Sequence, residues 1–186
     1  MSLFNLENSK SGYRVDFVLY GAASVLMAVV LIIAGPRDRG WEIVTLVLTG
    51  LVAWTFLEYA LHRFVLHGLK PFRTWHVEHH RHPAALICTP TILIGALIAA
   101  LVLLPALVLA DLWRAYALSF GLLAGCLVYA ITHHALHHWN MHGAWFMRRK
   151  RWHALHHDSR NSPLGRPGYY GVTSSFWDHV LGSHDQ

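Results

Sequence analysis

Two cysteines, Cys88 and Cys126, are all the chain has, and each sits in or beside an apolar run. Their spacing matches neither a disulfide framework nor a thiolate metal site, so both read as reduced packing residues. Charge is also scarce. Lys, Arg, Asp and Glu make up 13% of 186 residues, and the ten carboxylates are outnumbered by sixteen histidines. No internal repeat, low-complexity tract or long linker divides the chain, so a single domain over residues 1–186 is expected. What is plentiful is apolar surface: 54% of the residues are hydrophobic and the mean hydropathy is positive, which excludes an ordinary soluble domain. Eight Trp, seven Tyr and eight Phe suit aromatic belts at a bilayer interface.

A spanning helix needs about 20 predominantly apolar residues. Four stretches qualify, over residues 15–34, 43–61, 89–110 and 112–131. The first lies behind a polar start and ends at Gly35-Pro36, unlike a cleaved signal peptide, so it is expected to stay in the mature protein. Little more than Asp111 and Arg114 separates the last two, which predicts a tight helical hairpin. Pro105 removes a backbone donor inside the third stretch and predicts a kink or an early end there. With four spans, Lys10, Arg14, Arg63, Lys70, Arg73, Arg81, Arg148, Arg149, Lys150, Arg151, Arg160 and Arg166 share one face. Only Arg37, Arg39 and Arg114 fall on the other. The positive-inside bias then places both termini, the 61–90 segment and every histidine in the cytosol. The same sidedness accounts for the formal charge of +5 without nucleic acid, whose recognition would need basic residues interleaved with an aromatic platform.

The histidines are grouped: His62 and His67; His76, His79, His80 and His82; His133, His134, His137, His138 and His142; His153, His156 and His157. His179 and His184 stand apart and, with His142, read as packed or solvated residues. His62 and His67 are five apart, a step that leaves two side chains well separated around a regular helix, so they need a helix end or bend to converge. The second and fourth groups share the pattern H-x-x-H-H. Its first, fourth and fifth positions lie on one helix face, and its last two imidazoles splay by about 100° and could feed two adjacent metals. In the third group, His133 with His137 and His134 with His138 have identical spacing, and periodicity cannot choose between them. So many imidazoles would repel if protonated, and a metal is the simplest partner that satisfies them together. Imidazole excludes magnesium and calcium but admits zinc, copper, nickel or iron. Glu58, Glu78, Asp158 and Asp178 lie near these groups and are candidates to accept a ligand's second ring N–H.

At these motifs the chain resembles the fatty acid hydroxylase and sterol desaturase superfamily, and within it the fatty acid 2-hydroxylases. EYALHRFVLH (58–67) is similar to that family's first histidine box, HVEHH (76–80) to its second, YAITHHALHH (129–138) to its third and WHALHH (152–157) to its last. The stretch YYGVTSSFWDHVLGS (169–183) resembles the segment that follows. Ala130 departs from the acidic residue expected just before the third box.

The resemblance implies an all-α integral membrane four-helix bundle with a cytosolic histidine-rich helical cap. It implies metal ligation by His62, His67, His76, His79, His80, His133, His137, His153, His156 and His157. Two iron ions are the implied cofactors, replaceable by zinc during overexpression, with O2 as oxidant and a lipid or fatty-acyl chain as substrate. No fused cytochrome b5 domain is present, so a separate electron-transfer protein is expected. The short chain favours a bacterial inner membrane over the endoplasmic reticulum. A desaturase or a carotenoid or sterol hydroxylase with the same box logic stays open. A metal transporter fits less well, because transporter ligands sit near mid-membrane and these histidines fall at or beyond the helix ends.

Overall fold

The computed structural model of the protein describes residues 9–86, 91–158 and 167–184, and every regular element among them is helical. Helix α1 (Lys10–Ala34) begins where the Ser9 hydroxyl accepts the Gly12 N–H at 3.1 Å, and it stops before Gly35-Pro36, where proline cannot continue it. Helix α2 (Gly40–Ala60) runs straight into a π-helical turn, Leu61–Leu66. Next come α3 (Phe72–Arg81), α4 (Thr91–Ile98), a second π-helical turn (Ala99–Leu103), α5 (Leu104–Leu109), α6 (Leu112–His138), α7 (Ala144–His157) and the short α8 (Phe176–Val180).

Among the described residues, three helices are long and apolar enough to cross a membrane: Lys10–Ala34, Arg37–Leu66 and Leu112–His138. The expected count of four is therefore approximate. The third tract forms a shorter apolar helix, Ile94–Leu109; positions 89 and 90 of its expected span lie outside the described residues, as does Cys88. Pro105 does not end that tract. The wider π turn shifts the bonding pattern just before the proline, whose missing N–H then falls in the first turn of α5, where none is needed. The second and fourth spans outrun their expected ends, and α6 carries the third histidine group as part of the same helix.

The chain forms two compact units. One draws its described residues from Asn8–Trp54 and Cys88–Leu127. Here α2 and α6 touch backbone to backbone: a Cβ on Gly121 would lie 2.2 Å from the Val47 carbonyl oxygen, and one on Gly50 2.5 Å from that of Leu118. Small residues at such a contact let dispersion forces act where the hydrophobic effect gives helices no reason to associate. Cys126 is buried in this unit, while Ile32, Ile33, Val108 and Leu109 turn outward almost fully exposed. An apolar surface of that kind needs hydrocarbon as its solvent, and the protein is a membrane protein. The other unit draws on Thr55–Ile87 and Val128–Gln186. Its small apolar core joins Ala135 and Leu136 of α6 to Phe146 of α7 and to Val172. The histidines lie in this unit.

Candidate metal centre

Ten histidines resolve into two groups of five, and within each group the nearest ring nitrogens lie within 4.8 Å of one another. His62, His67, His76, His80 and His156 form the first group; His79, His133, His137, His153 and His157 form the second. These are the ten residues named above from the resemblance. The pattern of sharing follows from helix geometry. In the H-x-x-H-H box of α3, the i,i+4 pair His76 and His80 enters the first group while His79 crosses to the second. Helix α7 does the reverse: His153 and His157 enter the second group and His156 crosses to the first. Adjacent imidazoles in each box therefore serve different groups, and the two groups are built alike.

His62 and His67 converge through the π turn rather than through a helix end. Closed by i→i+5 bonds, with the His67 N–H donating to the His62 carbonyl at 3.2 Å, five residues make little more than one revolution, so both rings return to one side. On α6, His133 and His137 enter the second group, whereas His134 and His138 stack on each other at 4.5 Å outside either group. His82 pairs with Glu78, His142 is exposed, and His179 stacks on His184 at 4.4 Å.

The donor set fits a pair of first-row metal ions. His76 Nε2 lies 2.9 Å from His62 Nε2 and 3.0 Å from His80 Nε2, and His153 Nε2 lies 2.8 Å from His137 Nε2. Two nitrogens bound at right angles to one ion at metal–nitrogen lengths near 2.1 Å would be about 3 Å apart. A single hydrogen on His76 Nε2 cannot satisfy both of its neighbours. Both ring nitrogens of His79, Nε2 of His133 and Nδ1 of His153 are buried without a hydrogen-bond partner among the described residues. Orphaned buried donors and acceptors of this kind are costly unless something else engages them.

Two of the five rings in the first group are oriented by backbone carbonyls. His62 Nδ1 donates to the Tyr170 carbonyl and His156 Nδ1 to the Gly168 carbonyl, each at 2.6 Å. A carbonyl only accepts, so each Nδ1 carries the hydrogen and, in the neutral ring, Nε2 keeps its lone pair for the group. Tyr169, between these carbonyls, has φ 53°, a left-handed conformation uncommon for a residue with a side chain.

Among the described residues, Glu58, Glu78 and Asp178 do not accept from these ten histidines, contrary to expectation. Glu58 instead accepts from the Val172 N–H at 2.6 Å, the Thr173 N–H at 2.8 Å and the Thr173 hydroxyl. Asp178 accepts from the Tyr170 and Gly171 N–H groups and the Ser183 hydroxyl, all at 2.8 Å. Glu78 pairs with Arg81 and His82, and Asp158 closes the end of α7 through its backbone N–H. Glu58 and Asp178 thus hold the segment that in turn orients the histidines. Sequence reasoning missed Gly168 and Tyr170, because a backbone carbonyl leaves no mark in the sequence.

Burial, followed by the charge of neighbouring imidazoles, holds these rings neutral. It depresses His67 to about 4 and His79 to about 3, in both cases with His157 as the next cause, and burial brings His157 to about 4. His76, His80, His153 and His156 are likewise lowered, first by desolvation. Neutral imidazole is the form that binds metal. The depressed values also set a direction for stability: as pH falls below the ordinary value of 6.5 the unfolded chain takes up protons that the fold refuses, so stability is lost between 6.5 and about 4. Chelator-treated protein should therefore melt at a lower temperature at pH 5.5 than at pH 7.5. An unchanged or higher midpoint would contradict this account.

A family model described as fatty acid hydroxylase matches residues 47–183. The chain is 36% identical to the dihydroceramide fatty acyl 2-hydroxylase FAH2 of Arabidopsis thaliana, across 76% of this chain and 61% of that one. It is 31% identical to the ceramide very long chain fatty acid hydroxylase scs7 of Schizosaccharomyces pombe, across 75% and 42%, and 25% identical to the fatty acid 2-hydroxylase of Homo sapiens, across 73% and 38%. It thus spans at most about three-fifths of these relatives' lengths. A solved structure of full-length scs7p, in which only the hydroxylase domain is visible, matches with a TM-score of 0.66 and 25% identity over 92% of this chain and 66% of that one.

Proposed function

The chain belongs to the fatty acid hydroxylase family, and from that membership we propose that it is a membrane-bound dimetal oxygenase that hydroxylates a lipid acyl chain. The observation that carries this reading is the division of ten histidines into two like groups of five. In it, His62, His67, His76, His80 and His156 hold one ion, and His79, His133, His137, His153 and His157 hold the other. Two iron ions would supply the redox chemistry that couples O2 to hydroxylation of an unactivated carbon; zinc accepts the same nitrogens but lacks that redox step. The chain's own residues hold and orient the ions. The carbonyls of Gly168 and Tyr170 fix two rings, Asp178 and Glu58 hold the backbone from Tyr170 to Thr173, and burial keeps the imidazoles unprotonated. A separate electron-transfer protein would supply the electrons.

With four spans, twelve of the fifteen basic residues would share the face that carries the centre, which favours placing it on the cytosolic side. A reporter fused after Gln186 should then register the cytosol, and a signal from the opposite side would overturn this orientation.

Product analysis tests the reaction itself. Lipids from cells carrying the chain should contain acyl species one oxygen heavier than those from cells without it. Species lacking only two hydrogens would indicate a desaturase, and an unchanged lipid profile in iron-replete cells with a competent reductant would count against lipid oxidation.

A further inference from the structure

Asp178 is fully buried, and its carboxylate is used entirely within the protein. Oδ2 accepts the Gly171 N–H at 2.8 Å, and Oδ1 accepts the Tyr170 N–H and the Ser183 hydroxyl. The Gly171 N–H and the Tyr170 carbonyl are the two ends of one peptide group. At its other end, that carbonyl receives His62 Nδ1–H at 2.6 Å, and His62 Nε2 stands 2.9 Å from His76 Nε2 inside the first group. One continuous line therefore runs from a carboxylate through a peptide and an imidazole to the group.

A peptide is conjugated, so a negative charge accepting its N–H raises the electron density on its carbonyl oxygen. That oxygen then draws more strongly on Nδ1–H, and the ring becomes a better donor through Nε2. Metal-bound histidines are commonly oriented by a carboxylate or a carbonyl; here the carbonyl is itself backed by the carboxylate. Gly171 keeps the approach open, because a Cβ there would lie 1.9 Å from the Ser174 carbonyl oxygen and 2.8 Å from Asp178 Oδ2. The second group contrasts with this: His153 Nδ1 and both nitrogens of His79 have no hydrogen-bond partner among the described residues.

We propose that Asp178 is a positioning residue for His62, acting through the Tyr170–Gly171 peptide, and that it makes the first group the tighter of two unequal metal positions. The inference rests on the reading above that each group holds one ion.

The test uses the full chain in detergent, loaded with zinc as the probe, equilibrated against a graded chelator series and assayed for metal per chain. Wild-type protein should release its ions in two steps. Asp178→Asn keeps the volume but removes the charge and one of the two acceptors, because its NH2 cannot accept the Gly171 or Tyr170 N–H it faces, and it should weaken the tighter step by about 10- to 100-fold. Placed on a His62→Ala background, the same change should cause no further loss, since its route to the metal is gone. Ser183→Ala removes a competing donor while leaving the peptide contacts, and it should leave the tighter step unchanged or strengthen it. Additive losses in the double variant, or a loss in Ser183→Ala as large as that in Asp178→Asn, would assign Asp178 to general packing and overturn the proposal. Release of both ions in one step, or an unaltered Asp178→Asn titration, would overturn it as well. Wild-type chain that holds fewer than two ions would instead sink the dimetal reading on which it stands.

Discussion

Replacing His133 or His137 with alanine should lower the metal content from two ions per chain toward one and reduce product formation by more than about 100-fold, a larger loss than removal of an outer contact gives. His134→Ala and His138→Ala should keep both ions and most of the activity. The two pairs have the same i,i+4 spacing on α6, but residues one apart point about 100° apart, so a fixed centre receives only one pair. The fold turns His133 and His137 into the second group, and His134 and His138 stack on each other with Trp139 nearby, 6.0 Å from His134. Elemental analysis of the four purified variants checks this. If His134→Ala emptied the position while His133→Ala left it filled, the register of α6 would be wrong by one residue.

The second large effect is expected at Glu58. Its buried carboxylate satisfies two backbone N–H groups and a hydroxyl of Val172 and Thr173, directly beyond the carbonyl that orients His62. Glu58→Ala would strand those donors in a buried environment, at about 1–3 kcal/mol for each unsatisfied group. Glu58→Gln should be far milder. The amide oxygen can still accept from both N–H groups, and the Thr173 hydroxyl can rotate to accept from the new NH2. Denaturation in detergent, with metal retention followed in parallel, should rank the proteins wild type, Gln, then Ala. Equal midpoints for Ala and wild type would show that the segment is held by other contacts.

The sequence by itself determined the class of protein and the chemistry on offer. Long apolar stretches require lipid as solvent, and residues three and four apart in the H-x-x-H-H boxes share a helix face wherever the helices pack. The relationship between adjacent imidazoles was legible for the same reason, since a step of about 100° is a property of any α-helix. Only the tertiary structure decided which histidines meet. Periodicity fixes angles within one helix and says nothing of which neighbour that face meets, so by spacing alone His133 and His134 were indistinguishable, and only the resemblance favoured His133 until α3 and α7 were in place. His62 and His67 needed a π turn that no spacing rule requires. The carbonyls of Gly168 and Tyr170 belong to the backbone, which every residue has, and Tyr169 at φ 53° aims them in a way its residue type does not announce. Glu58 and Asp178 were visible as carboxylates near histidines. The partners of Glu58 exist as a site only because the chain returns to α2 more than a hundred residues later, whereas Asp178 reaches the Tyr170 and Gly171 N–H groups within its own stretch of chain.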